Sequence, residues 1–265
     1  MAEPSRSSAK FDRVLVVDTN MATAKMLANL LRSILPSTQV YGARDSDKAM
    51  MLAAEVQPQL VFVDAVGPGL DGMAFARALR RCDYACREAP MIMIFGDVTA
   101  AQVLEARDSG VHEFMRRPYT MGDLHKRLEA VSGRPRDWIE AVTYVGPDRR
   151  RFNSADYAGP RKRSTDGSMK TQKMVQALKI LQSAVTQMDV EPVQAARALT
   201  TQARILVELS AGQEPYKRMG AAAAVLQSYL HNVAQHGALP AKDQTQTYTA
   251  NVLQTAPPDI KPKAA

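Results

Sequence analysis

Five short apolar runs alternate with five segments of helical apolar spacing in the first half of this chain, and few architectures accept that pattern. Arg13-Val-Leu-Val-Val-Asp18, Thr38-Gln-Val-Tyr-Gly42, Gln59-Leu-Val-Phe-Val-Asp64, Pro90-Met-Ile-Met-Ile-Phe95 and His112-Glu-Phe-Met-Arg116 have strand length. The first, third and fourth are continuously apolar, as expected for strands covered on both faces. The segments 21–34, 45–56, 72–81, 99–108 and 121–131 are predicted helices. Asp45 or Ser46 is a plausible cap for the second, and Gly110 stops the fourth. Five βα units in so short a stretch predict one doubly wound, five-stranded parallel sheet, an α/β fold of flavodoxin-like type.

In such sheets the C-terminal strand ends face the ligand crevice. Asp18 closes the first run and Asp64 the third, and Ala65-Val-Gly-Pro-Gly-Leu-Asp-Gly72 follows as a turn-rich loop. A carboxylate there can act as a nucleophile or bind a metal. Standing alone, Asp64 reads more readily as a loop or helix-capping residue. It has company at the same edge.

Composition narrows the class. Hydrophobic residues make up 46% of the chain and aromatics 6%, enough for an aliphatic core. Cys82 and Cys86 have no second Cys/His pair at zinc spacing, and two cysteines in 265 residues fit a reducing compartment. No apolar run reaches the ~18 residues of a membrane span. The N-terminus has no apolar signal core. The expectation is a cytoplasmic protein.

The domain plan expected is 11–131 for the α/β domain and 132–167 for a basic Gly/Pro/Arg linker. A helical region over 168–236 follows, and then a disordered tail over 237–265. Pro192 and Gly212 to Pro215 divide the helical region into three helices, whose apolar stripes suggest a small bundle or an oligomerisation element. His231 and His236 lack the Lys and Gly that follow the histidine of a phosphotransfer helix and read as ordinary histidines.

Residues 13–131 resemble the receiver domain of two-component response regulators. Val16-Val-Asp18, Val63-Asp64-Ala-Val-Gly-Pro-Gly-Leu-Asp-Gly72 and Ser109-Gly-Val-His-Glu-Phe-Met-Arg-Arg117-Pro118-Tyr119 carry the resemblance. It implies that Asp64 is the phospho-acceptor for a histidine kinase or phosphotransfer protein. It also implies Mg²⁺ held by Asp18, Asp64 and the backbone carbonyl of Val66. Three of the family's usual groups differ here. Thr19 stands in place of the second acid after strand 1, Phe95 in place of the strand-4 hydroxyl, and Arg117 in place of the Lys. Each weakens the usual chemistry: less charge to hold Mg²⁺, no hydroxyl for a phosphoryl oxygen, and a guanidinium able to hold Asp64 in a permanent ion pair. Asp97 is considered as a replacement carboxylate, although a solvated loop residue is the simpler reading. Phe114 matches the family's strand-5 aromatic. The reading is an atypical receiver with Mg²⁺ weakened or lost and no catalysis beyond self-phosphorylation at Asp64.

Tyr144-Val-Gly-Pro-Asp-Arg-Arg-Arg151 and Tyr157-Ala-Gly-Pro-Arg-Lys-Arg163 repeat one pattern. Between Tyr144 and Arg163 the net charge is +4, out of +7 for the chain. Arg149, Arg150, Arg151, Arg161, Arg163, Tyr144 and Tyr157 are candidate ligands for an anion, whether a cyclic dinucleotide, an acidic protein surface or nucleic acid. DNA is the weakest of these, because no basic recognition helix is visible. Output through a downstream protein partner is expected. The alternative is a phosphorylation-independent pseudo-receiver that acts as an effector of a cyclic dinucleotide or another anionic ligand through the Arg-rich repeat.

Overall fold

The protein, as a computed structural model, is described over residues 11–133, 136–149 and 169–262. The chain folds as two compact units, one of 1–139 with 144–151 and one of 140–143 with 152–265.

The first unit is the expected α/β fold. Its elements run β1 (Arg13–Val17), α1 (Met21–Ile34), β2 (Gln39–Ala43), α2 (Ser46–Val56), β3 (Leu60–Asp64), β4 (Val66–Gly67), β5 (Leu70–Asp71), α3 (Gly72–Arg81), β6 (Met91–Phe95), α4 (Ala100–Asp108), β7 (Glu113–Arg116) and α5 (Met121–Gly133). The main sheet is parallel throughout, in the order β2-β1-β3-β6-β7. Period-two alternation splits each central strand between two apolar layers. Leu15, Val17, Val61, Val63, Met91 and Met93 face α2, α3 and α4 through Ala49, Ala53, Phe75, Leu79 and Ala106. Val14, Val16, Leu60, Phe62, Ile92 and Ile94 face α1 and α5 through Leu27, Leu31, Leu124 and Leu128. Burial on both sides is why these strands are written as unbroken apolar runs.

Local capping agrees with the sequence. The Asp45 carboxylate accepts from the Lys48 amide at 2.7 Å at the start of α2. Thr99 and Gln102 form a capping box at α4. Cys82 and Cys86 are free, and burial pushes the Cys86 thiol up to about 11.

The linker expectation needs correction over 136–149. Here β8 (Trp138–Glu140) pairs with β9 (Val145–Pro147), and Tyr144 is buried with its hydroxyl donating to the Pro147 carbonyl at 2.6 Å. The seat is made by Arg80, whose side chain is fully buried. Its Nε donates to the Gly110 carbonyl and one Nη1 bond reaches the Ala89 carbonyl, both at 2.9 Å. The guanidinium carbon lies 5.5 Å from the centre of the Trp138 ring. Gly110 and Gly146, both at positive φ, bring the chains together so closely that a Cβ on Gly110 would stand 2.6 Å from the Val145 carbonyl.

The second unit is helical, as expected, but among the described residues it has four long helices rather than three: α6 (Met169–Thr186), α7 (Pro192–Ser210), α8 (Lys217–Gln235) and α9 (Lys242–Thr255). Successive helices pack together and α9 packs back on α6. The shared core includes Leu178, Leu181, Leu199, Leu206, Leu226 and Val252. The tail expected to be disordered from 237 therefore contains a helix. That helix buries Thr245 and Thr249 beside Val252, so its inward stripe is largely polar in sequence. Glu140 is also buried in this unit. It accepts from the Gln194 amide at 2.7 Å, and its backbone carbonyl accepts from Gln202 at 3.0 Å.

Candidate functional site

Strand register assembles the site. Val17 stands opposite Val63, so the next residues, Asp18 and Asp64, stand side by side at the C-terminal edge of the sheet. Phe95 stands opposite Arg116, and the Arg117 amide donates to the Phe95 carbonyl at 2.7 Å. The C-terminal edge thereby gathers Asp18, Asp64, Phe95 and Arg117 from four strands.

Arg117 organises the cluster. Its Nη1 donates to Oδ2 of Asp64 at 3.0 Å and its Nη2 to Oδ1 at 2.6 Å, a two-pronged ion pair. The same Nη2 reaches Oδ2 of Asp18 at 2.9 Å. That Asp18 oxygen also accepts from the Thr23 hydroxyl at 2.5 Å, and Oδ1 accepts from the Asn20 amide at 2.8 Å. Every carboxylate oxygen of both acids therefore has a donor. Burial pushes the Asp64 carboxyl up to about 6, against the opposing pull of Arg117. Burial also works against the Arg117 charge, but Asp64 and Asp18 outweigh it and hold the guanidinium above its ordinary value.

The glycine of the Asp71-Gly72 pair has a steric role. A Cβ on Gly72 would lie 2.1 Å from the Asp64 carbonyl, and the Gly72 amide donates to the Ala65 carbonyl at 2.9 Å. Asp71 caps α3 by accepting from the Ala74 amide at 2.9 Å. Together they let a helix start directly beneath Asp64.

The substituted positions have clear places. Thr19 lies against Gly67, where an added Cβ would meet its hydroxyl at 2.5 Å, and it makes no bond to Asp18 or Asp64. The Phe95 ring is buried in the core beside Met93. Asp97 is not brought into the site. Its exposed carboxylate pairs with Arg116 at 3.3 Å, as a solvated loop residue would. Val66 sits on the small β4–β5 hairpin with its side chain exposed. Phe114 is part-buried under the Arg127 guanidinium, 6.0 Å from its ring centre.

The fit to Mg²⁺ is poor as the side chains stand. Mg²⁺ takes hard oxygen donors in near-octahedral geometry, and here a guanidinium already occupies the space both carboxylates face. Among the described residues no group of three or more His, Cys, Asp or Glu could hold a metal.

The described residues include only part of the basic repeat. Tyr144 is turned inward, a correction to its expected ligand role. Arg149 lies 4.0 Å over the Tyr144 ring and pairs with Asp108 at 2.5 Å. Arg150, Arg151, Tyr157, Arg161 and Arg163 lie outside the described residues. Sequence reasoning missed Asn20 and Thr23, the residues that hold Asp18. Their signal was the cap itself, since Asn20 accepts from the Ala22 and Thr23 amides at the start of α1.

A five-stranded parallel sheet in the order β2-β1-β3-β6-β7, with two acids and a cation at its C-terminal edge, defines a receiver architecture. Residues 14–129 match the response regulator receiver domain family, and this part of the chain is such a domain. The DNA-binding response regulator MtrA of Mycolicibacterium smegmatis is 30% identical over 134 residues, 51% of this chain and 56% of that protein. The cyclic di-GMP phosphodiesterase response regulator RpfG of Xanthomonas campestris pv. campestris is 32% identical over 116 residues, 43% of this chain and 30% of that protein. The receiver domain of a Pseudomonas aeruginosa sensor histidine kinase, solved with a magnesium ion in its active-site cleft, is 21% identical. It covers 48% of this chain and 100% of its own, with a TM-score of 0.42. The chain spans about half the length of the MtrA proteins it matches. No described helix is long and apolar enough to cross a membrane.

Proposed function

We propose that this chain is a cytoplasmic two-component signalling protein whose receiver domain acts mainly by protein contact, with Asp64 held by Arg117 rather than charged with phosphate. The two-pronged Arg117–Asp64 ion pair carries the reading. It supplies the positive charge that the family's metal would supply, from a side chain that cannot leave the protein. Thr19 and Phe95 act in the same direction, the first by removing a carboxylate and the second by removing a phosphoryl-bonding hydroxyl. Mg²⁺ binding is accordingly weakened or lost. The partners are a histidine kinase or phosphotransfer protein and a downstream protein, and no catalysis is assigned. MtrA binds DNA by its name, but the family match here ends at residue 129, so DNA binding is not carried over. The cyclic-dinucleotide alternative loses support at Tyr144 and Arg149, which are engaged within the first unit.

A second reading keeps Asp64 as phospho-acceptor. The Arg117 side chain is 26% exposed, so it can swing off the carboxylate and fork onto phosphoryl oxygens. Incubation with acetyl phosphate and Mg²⁺, read by intact mass, separates the two. The first reading expects no adduct on the wild type. An adduct that needs Mg²⁺ and disappears in Asp64→Ala overturns it in favour of the second.

A further inference from the structure

The first unit has a second concavity, on the wall between α1 and β2. Small residues make it. Ala24 and Ala28, one turn apart on α1, face the edge strand β2 where a large side chain would ordinarily fill the gap. On β2 itself, a Cβ added to Gly42 would meet nothing within 4 Å. The result is a cavity of about 380 Å³ with Val16, Val40 and Gly42 as its floor and Met21 at one end. That size lies in the range of roughly 300–1,000 Å³ typical of small-molecule sites.

The rim gives the chemistry. Lys25, Arg32 and Arg44 all line the cavity. Lys25 and Arg44 are exposed, and neither has an ion pair among the described residues. Arg32 makes one long bond, at 3.4 Å, to the side-chain oxygen of the neighbouring Asn29. The acid in the lining is Asp18, whose oxygens are already committed to Arg117, Thr23 and Asn20. The cavity therefore joins an apolar floor to three cations without a free carboxylate to answer them. An apolar-floored site with convergent cations selects a ligand with an apolar body and an anionic end.

We propose that this α1–β2 cavity binds a small amphipathic anion, a compact apolar body carrying a terminal phosphate or carboxylate. The body sits over Val16, Val40 and Gly42, and the anion lies among Lys25, Arg32 and Arg44. The site adjoins the acidic cluster at Asp18 but includes neither Asp64 nor Arg117.

Amide NMR of the isotope-labelled full chain tests this with three probes: naphthyl phosphate, naphthoate and the neutral naphthalenemethanol. Saturable shifts at the Ala24, Ala28 and Gly42 amides are expected for at least one anion, with the alcohol roughly tenfold weaker, the size of one charge-assisted hydrogen bond. Preference for phosphate or for carboxylate identifies the head group, and equal binding assigns a general anion site. Lys25→Gln combined with Arg44→Gln should erase the advantage of the anions, and Gly42→Val should fill the floor and abolish binding with the remaining spectrum intact. The proposal is overturned if no probe gives saturable shifts there, if the alcohol binds as well as the anions, or if the double substitution changes nothing. Should Gly42→Val misfold, the double substitution decides alone.

Discussion

One guanidinium, that of Arg117, covers both carboxylate oxygens of Asp64, at 3.0 and 2.6 Å, and the same group reaches Asp18. Two neighbouring buried acids thus share one fixed cation. A freely exchanging metal could serve the same acids, but a tethered guanidinium cannot give way to a phosphorylated state without moving a side chain.

Replacing the fork by a point charge should loosen the arrangement. Arg117→Lys can engage one Asp64 oxygen well but not both. The freed oxygen and the smaller head should raise Mg²⁺ affinity by roughly tenfold or more, the effect of a single good ligand. Arg117→Ala instead leaves two buried acids facing each other, at a cost of about 3–5 kcal/mol. Thermal melts should show Mg²⁺ rescuing that variant while leaving the wild type unmoved.

The pH dependence follows from burial of Asp64. Its folded value, about 6, lies above the ordinary value of 3.8. A carboxyl with a raised folded value binds its proton more tightly in the folded state. Its stabilising contribution is therefore complete below about pH 4 and lost as pH rises through 6. The stability of the wild type relative to Asp64→Asn should fall across that window and level off above it. Denaturant melts at several pH values measure this, and a flat difference would count against the assignment.

Gly72 should tolerate no side chain. A methyl there would meet the Asp64 carbonyl at 2.1 Å, and the obstacle is backbone, which cannot rotate away. Gly72→Ala should cost about 1–3 kcal/mol, the usual range for overpacking, or more. Urea unfolding measures the loss, and the carbonyl-proximal amides of Ala65 and Val66 should shift in NMR spectra.

Arg80 should matter as much as any apolar core residue. Its guanidinium donates to the Gly110, Arg87 and Ala89 carbonyls and lies near Trp138. Burial lowers it to about 10, so it remains charged at neutral pH. Both the Met91 amide and Arg80 approach Nδ1 of His112, and burial with Arg80 nearby pushes His112 down to about 2. The neutral ring therefore carries its proton on Nε2. Arg80→Ala should cost ~3 kcal/mol or more through carbonyls left without donors. The fluorescence of Trp138, the one tryptophan in the chain, reports the loss directly.

The sheet was legible because strands buried on both faces must be apolar at every position, which Leu60 to Val63 and Met91 to Phe95 are. Asp18 and Asp64 were legible because strand ends face the crevice in this architecture, and Arg117 through the resemblance to receiver domains. Two elements were not. The pairing of Trp138–Glu140 with Val145–Pro147 joins strands three residues long and depends on Arg80 and Gly110, which are distant in sequence, so locally the segment reads as a Gly/Pro/Arg linker. Helix α9 buries Thr245, Thr249 and Val252 at helical spacing. A stripe that is two-thirds threonine carries little hydropathy signal, so the segment reads as a tail.

Titration of Mg²⁺ into the wild-type chain by calorimetry, with Asp64→Ala as the control, decides between a fixed ion pair and a metal site. If Arg117 holds both oxygens of Asp64, no saturable, Asp64-dependent binding should occur at millimolar Mg²⁺. Binding at millimolar concentration or tighter, lost in Asp64→Ala, would rule out the fixed pair and return Asp64 to an ordinary metal-assisted receiver site.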